Sequence, residues 1–76
     1  MRFSDGPAIY QIKVLGLLDP QWADWFDGMT LTYAEHETWL IGAVVDQAAL
    51  HGLISKLRDL GLTILLVRRL DEHDPL

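Results

Sequence analysis

The most regular pattern of apolar and polar positions lies in residues 43–70. An apolar stripe of helical period predicts an amphipathic helix there. Asp46 precedes the stripe as an N-cap, because its carboxylate can accept the free backbone N–H groups of the first turn. Gly61 follows as the glycine that ends the helix, and the aliphatic run 63–67 predicts a strand. The stripe consists of Leu50, Leu53, Ile54, Leu57 and Leu60.

Three further segments are predicted as strands. Residues 9–15 and 29–34 alternate between their two faces, and residues 38–45 follow the polar reversal 35–37 as a third strand. After the first of them, Asp19 and Pro20 predict the start of a short helix, with proline at the first helical position. Gly28 is predicted to end this helix. Three aromatic side chains at i, i+3 and i+4 would then share one of its faces: Trp22, Trp25 and Phe26.

The predicted order is strand, helix, strand, strand, helix, strand. This order is typical of the α+β ferredoxin-like, split βαβ arrangement, with two helices on one face of a four-stranded antiparallel sheet. We expect one domain over 1–76, with a loose lead-in at 1–8, a folded core at 9–70 and an acidic tail at 71–76.

The third and fourth predicted strands are apolar on both faces, which is typical of strands that are covered on both sides. Two helices cover only one face of the sheet, and a second copy is the simplest cover for the other. We therefore expect a homo-oligomer, a dimer packed through the open side of the sheet. The candidate interface residues are Trp39, Ile41, Leu65 and Val67.

Composition narrows the function classes. The chain has 76 residues, no cysteine and a net charge of −5. These values exclude thiol chemistry and argue against nucleic-acid binding, which needs clustered basic residues. No stretch approaches the ~18 apolar residues of a membrane span, and no apolar signal segment is present at the start. We expect a cytoplasmic protein with no membrane or nucleic-acid partner.

Two segments resemble an uncharacterised family of short bacterial proteins. The first has the form LD-x-x-W-x-x-WF and lies at 18–26, and the second contains DQAALHGL at 46–53 and RDLGL at 58–62. The resemblance covers most of 10–70. It implies a self-contained cytoplasmic module and supplies no catalytic or binding residues to transfer. Thr63 departs from the proline expected in the family.

Three residues of the second helix occupy positions that the fold does not dictate. Gln47 and His51 flank the apolar stripe, and an imidazole there could orient a ligand or transfer a proton. The favoured interpretation of His51 is a residue at the core boundary, since no second titratable group is fixed beside it. Gly52, Ala48 and Ser55 form a strip of small residues that could allow close approach of a partner. The alternative is that Gly52 is tolerated on a solvated face, at a cost of about 1 kcal/mol relative to alanine.

The aromatic residues of the first helix could line a pocket for a flat ligand, although such stripes more often pack a helix on a sheet. Trp22 is the member expected to be partly exposed. Oxygen and imidazole ligands are dense at 35–37 and 71–74, but neighbours in a turn or tail do not define a coordination sphere. We expect neither a metal nor another cofactor.

Three functional hypotheses follow. The leading one is a non-enzymatic homo-oligomeric module for protein interaction or regulation, with a further protein partner as an option. The second is a sensor similar to ACT domains that binds a small molecule near Trp22, the loop 16–19 and the second helix. This hypothesis is an analogy between folds. The third is a small dimeric ferredoxin-like enzyme that uses His51 as acid or base.

Overall fold

The computed structural model describes residues 7–26 and 28–70. The predicted tail at 71–76 and most of the predicted lead-in lie outside these residues. The elements, in chain order, are β1 (Ala8–Leu15), a 3-10 helix (Pro20–Phe26), β2 (Thr30–Ala34), β3 (Glu37–Val44), α1 (Gln47–Asp59) and β4 (Thr63–Arg69).

The four strands form one sheet in the order β2-β3-β1-β4. β1 lies inside the sheet and pairs antiparallel with β3 and with β4, and β2 pairs antiparallel with β3. The predicted four-stranded antiparallel sheet is therefore confirmed, with β2 and β4 at its edges.

The predicted ferredoxin-like order is not matched. The chain has one α-helix among the described residues, so strands and α-helix follow the order β-β-β-α-β. The first helical segment has seven residues and adopts 3-10 geometry. This segment is far shorter than the ~12 residues at which an isolated α-helix becomes even marginal, and 3-10 turns are common in short connections.

The 3-10 geometry also corrects the predicted aromatic face. With three residues per turn, side chains at i and i+3 eclipse and the next one is turned away by about 120°. Trp22 and Trp25 accordingly lie together, with ring centroids 5.1 Å apart. Phe26 alone is fully buried, so it is the residue that anchors this segment in the core.

The predicted caps of α1 are confirmed. Asp46 accepts a hydrogen bond from the backbone N–H of Ala49 at 2.8 Å. At the other end, Gly61 has a φ of 78° and donates to the carbonyl of Arg58, while Leu62 donates to that of Leu57. These two bonds form a Schellman closure. Local sequence therefore determines where α1 begins and ends.

The hydrophobic core lies on one side of the sheet. β1 contributes Tyr10, Ile12 and Val14, β3 contributes Leu40, and both helical segments pack on this same side. The fully buried side chains include Phe26, Ile12, Leu40, Leu57, Val14 and Thr38.

Thr38 fastens the loop between β1 and the 3-10 helix to the sheet. Its hydroxyl donates to the carbonyl of Gly16 at 2.7 Å and accepts from the N–H of Leu18 at 2.9 Å. The Tyr33 hydroxyl donates to the carbonyl of Leu18. A buried threonine thus satisfies two backbone groups of a loop that has no strand partner of its own.

Candidate functional site

The side of the sheet opposite the core is the most distinctive surface of the described chain. It carries six large apolar side chains, and both helical segments pack on the other side. We call this surface the open face. Besides Ala34 and Ala43, its apolar residues are the six large ones Ile9, Leu15, Trp39, Ile41, Leu65 and Leu66.

The register of β1 and β3 places these residues on a common side. Lys13 pairs with Trp39, and Gln11 pairs with Ile41. Because side chains alternate between the two sides of a strand, each odd-numbered residue of β1 and β3 lies on the open face. The apolar positions that filled both faces of β3 in the sequence are thus divided between the core and this surface.

A charged pair lies within the open face. Lys13 Nζ is 3.9 Å from Glu37 Oε1, and both side chains are mostly covered, at 26% and 31% exposure. The same Nζ lies 4.9 Å from the centroid of the Trp39 ring, a cation–π contact. The indole Nε1 of Trp39 is buried and has no hydrogen-bond partner among the described residues. Lys13 therefore contacts the face of the Trp39 ring and not its N–H group.

A β-bulge in β4 changes one of the predicted interface residues. Val14 pairs with Ile64 but Lys13 pairs with Leu66, so one extra residue, Leu65, lies between them. Leu65 follows the core-facing Ile64, and Leu66 shares the side of Lys13, so both leucines lie on the open face. Val67 pairs with Ile12 and faces the core side, at the rim. The bulge adds Leu66 to the candidate interface in place of Val67.

The residues singled out on the two helical segments are not brought together. Trp22 lines a shallow depression with Gln21, Asp24 and Trp25. Gln47 Nε2 donates to the Tyr10 hydroxyl at 2.9 Å, which joins α1 to β1.

His51 is exposed on α1, and its side chain forms no hydrogen bond or ion pair with a described residue. Gly52 is also exposed, and a Cβ built on it would meet nothing within 4 Å. The small-residue strip therefore lies on a surface of α1 that no described segment approaches.

A cavity of about 340 Å³ lies between the end of β3, the first half of α1 and the end of the 3-10 helix. Sequence reasoning missed it, because its walls come from three separated segments. The lining residues are Phe26, Met29, Ala43, Val44, Val45, Ala49 and Leu53. The one local signal was Gly42, whose missing side chain leaves room for Met29: a Cβ there would lie 2.6 Å from the methionine sulfur.

Within residues 7–26 and 28–70, no three His, Asp or Glu side chains gather in a way that could hold a metal ion. No α-helix in this range is long and apolar enough to cross a membrane.

Comparison with known proteins gives one match. Neither a curated protein nor a solved structure matches the chain. A family model described as "Domain of unknown function (DUF8691)" matches residues 9–68. This range contains both segments on which the resemblance to an uncharacterised family rested, at 18–26 and 46–62. The chain therefore belongs to the DUF8691 family of domains of unknown function.

Proposed function

We propose that this protein is a non-enzymatic homodimeric interaction module, in which two copies pack through their open faces. The observation that supports this proposal is the apolar content of that face. Ile9, Leu15 and Leu65 are each more than two-fifths exposed, and they lie on the same side of the sheet as Trp39 and Ile41, with Gln11, Lys13, Glu37 and Arg68 among them. Several exposed large apolar side chains on one face of a small domain are typical of an interaction site.

The charges of the open face favour a second copy as the occupant. A two-fold dimer brings the same patch of both copies together, so the patch must complement itself. Lys13 and Glu37 carry opposite charges side by side. A two-fold axis between them sets Lys13 of one copy against Glu37 of the other, and two such pairs form at once.

The size of the face predicts a weak dimer. The four strands have eight, five, eight and seven residues, and at roughly 3.3 Å per residue and 4.8 Å between strands they form a face of roughly 440 Å². Two such faces bury on the order of 900 Å², which is in the range of weak or transient interfaces. We therefore expect a dissociation constant in the micromolar range, which corresponds to a binding free energy of about −8 kcal/mol.

The two alternative functions have less support. General acid–base catalysis requires a second group that orients or receives the proton, and the His51 side chain has no such group among the described residues. A sensor site at Trp22 and α1 would need these residues to share a cavity. The depression at Trp22 is lined by residues of the 3-10 helix alone.

The proposal is tested by placing a charge on the open face. Leu65→Lys puts an ammonium group in the proposed interface, and Gln21→Lys places the same group on an exposed residue of the 3-10 helix, which packs on the other side of the sheet. We expect Leu65→Lys to weaken association at least about tenfold (1.4 kcal/mol) and Gln21→Lys to leave it unchanged, as measured by sedimentation equilibrium. Equal association of both variants and the wild type would contradict the proposal.

A further inference from the structure

The cavity at the end of β3 reaches into the hydrophobic core. Its volume is about 340 Å³, roughly twice that of an apolar protein cavity of about 150 Å³ that holds benzene. Phe26, Met29, Val44 and Leu53 line it, and each of these side chains belongs to the core and is at most 5% exposed. Since close-packed interiors have few voids larger than a water molecule, a recess of this size is unusual in so small a domain.

The cavity is open on one side. Val45, which also lines it, is 61% exposed, and Ala43 is exposed as well. Ala49 of α1 is partly covered. The lining thus changes from a buried floor at Phe26 and Leu53 to an exposed rim at Val45. A small molecule can enter at this rim without separating α1 from the sheet.

The chemistry of the lining selects the kind of occupant. Among the described residues that line the cavity, none has a side chain with a hydroxyl group, an amide or a charge. A buried water molecule needs two to four polar partners, and the lining side chains supply none. A charged group would lose its hydration without gaining a partner. An uncharged apolar group fits such walls, because its transfer from water into the cavity is favourable.

Met29 makes one wall of the cavity adaptable. A Cβ on Gly42 would lie 2.6 Å from the Met29 sulfur, so the methionine side chain occupies room that only glycine leaves open. Methionine is unbranched and has three rotatable bonds, and such side chains adjust to groups of different shape. An adaptable wall suits a flexible alkyl chain better than a single rigid ring.

We propose that the cavity binds a free, uncharged alkyl compound of about six to ten carbon atoms. The chain lies against Phe26 and Leu53, and a polar end group stays in water at the Val45 rim. The volume is at the low end of small-molecule pockets, which span about 300 to 1,000 Å³, and this limits the ligand to a small one. The proposal does not depend on the dimer, because none of the six large apolar residues of the open face lines the cavity.

The first test titrates 1-heptanol and 1-butanol into ¹⁵N-labelled protein to about 5 mM, enough to saturate a site with a dissociation constant below about 1 mM. We expect 1-heptanol to shift the amide signals of Val44, Val45 and Ala49. Each methylene group that enters the cavity should strengthen binding about fourfold, so 1-butanol should bind at least about tenfold more weakly. Diethylene glycol monomethyl ether has a chain of the same length as 1-heptanol but with two ether oxygens, and it should shift none of these signals.

Matched variants locate the site. Ala49→Leu places a larger side chain in the cavity and should weaken 1-heptanol binding at least about tenfold. Ala48→Leu, at the exposed neighbouring position of α1, should bind 1-heptanol as the wild type does. Ala49→Val replaces the leucine variant if that variant does not fold. Leu65→Lys should also bind 1-heptanol normally, so a failure of the dimer proposal leaves this test intact.

The proposal is overturned if 1-heptanol shifts none of these amides, or if the ether binds as tightly as 1-heptanol does. Equal binding by the Ala49 and Ala48 variants also overturns it. So does a pattern of shifts centred on Trp39 and Leu65, which would assign the alkyl compounds to the open face.

Discussion

Lys13 lies directly across from Trp39 in the β1–β3 pair, with its Nζ 4.9 Å from the centroid of the indole ring. The same ammonium group is 3.9 Å from a carboxylate oxygen of Glu37. An aromatic ring and two opposite charges are therefore joined within the one face of the sheet that no described segment covers. Any association through this face should depend on these charges.

Reversal of either charge should prevent dimer formation, and a mixture of the two variants should restore it. In Lys13→Glu and in Glu37→Lys, like charges meet across the proposed two-fold axis, which destabilises association. When the variants are mixed, each new charge meets an opposite one. We expect each variant alone to associate at least about tenfold more weakly than the wild type, and the equimolar mixture to sediment as a dimer.

The double variant Lys13→Glu/Glu37→Lys is the control, because it exchanges the charges and keeps their complementarity. It should associate as the wild type does. If the single variants associate normally, or if the mixture stays monomeric while the double variant dimerises, the Lys13–Glu37 contact between copies is wrong. The proposed dimer would then need another orientation.

Two glycines should respond in opposite directions to the same substitution. A Cβ at Gly42 would lie 2.6 Å from the Met29 sulfur and 3.3 Å from the Met29 Cα. The sulfur can move but the backbone cannot, so Gly42→Ala should lower the free energy of unfolding by about 1 to 3 kcal/mol. Gly52→Ala meets nothing within 4 Å and should raise it by up to about 1 kcal/mol, since alanine favours a helix.

Urea denaturation of the two alanine variants measures both effects. The Gly52 variant should also associate as the wild type does, because that surface of α1 is distant from the open face. Stabilisation together with a loss of association would instead make the small-residue strip of α1 a contact surface. Equal stability of Gly42→Ala and the wild type would show that Met29 adjusts at little cost.

The hydroxyl of Thr38 should matter more than its methyl group. Thr38→Val keeps the shape but leaves the buried N–H of Leu18 and the carbonyl of Gly16 without their bonds. An unsatisfied buried group costs about 1 to 3 kcal/mol, so we expect a loss of about 2 kcal/mol or more. Thr38→Ser keeps both bonds and loses one methyl group, about 1 kcal/mol. Thermal or urea unfolding that ranks valine as stable as serine would contradict this role.

The sequence predicted α1 well because its signals are local. Asp46, Gly61 and the leucine stripe each act within a few residues of the helix end or face that they determine. The strands were also identified, because side-chain alternation is a property of the segment itself. The 3-10 helix was mistaken for an α-helix because the i, i+3 and i+4 spacing of Trp22, Trp25 and Phe26 is that of an α-helical face, although the segment has only seven residues.

The site was less predictable because it depends on pairing between distant segments. The apolar positions on both faces of β3 were visible, and Trp39 and Ile41 lie on the open face as predicted. The bulge at Leu65 could not be predicted, since it arises from the register between β1 and β4. It exchanged Val67 for Leu66.

The central claim is tested most directly by sedimentation equilibrium of the unmodified protein over a range of concentrations. At low ionic strength, we predict a monomer–dimer equilibrium with a dissociation constant on the order of micromolar, which corresponds to a binding free energy of about −8 kcal/mol. A single species of 8.6 kDa at every concentration up to about 1 mM would contradict the homodimer. At that concentration, only interactions weaker than about 4 kcal/mol would be missed.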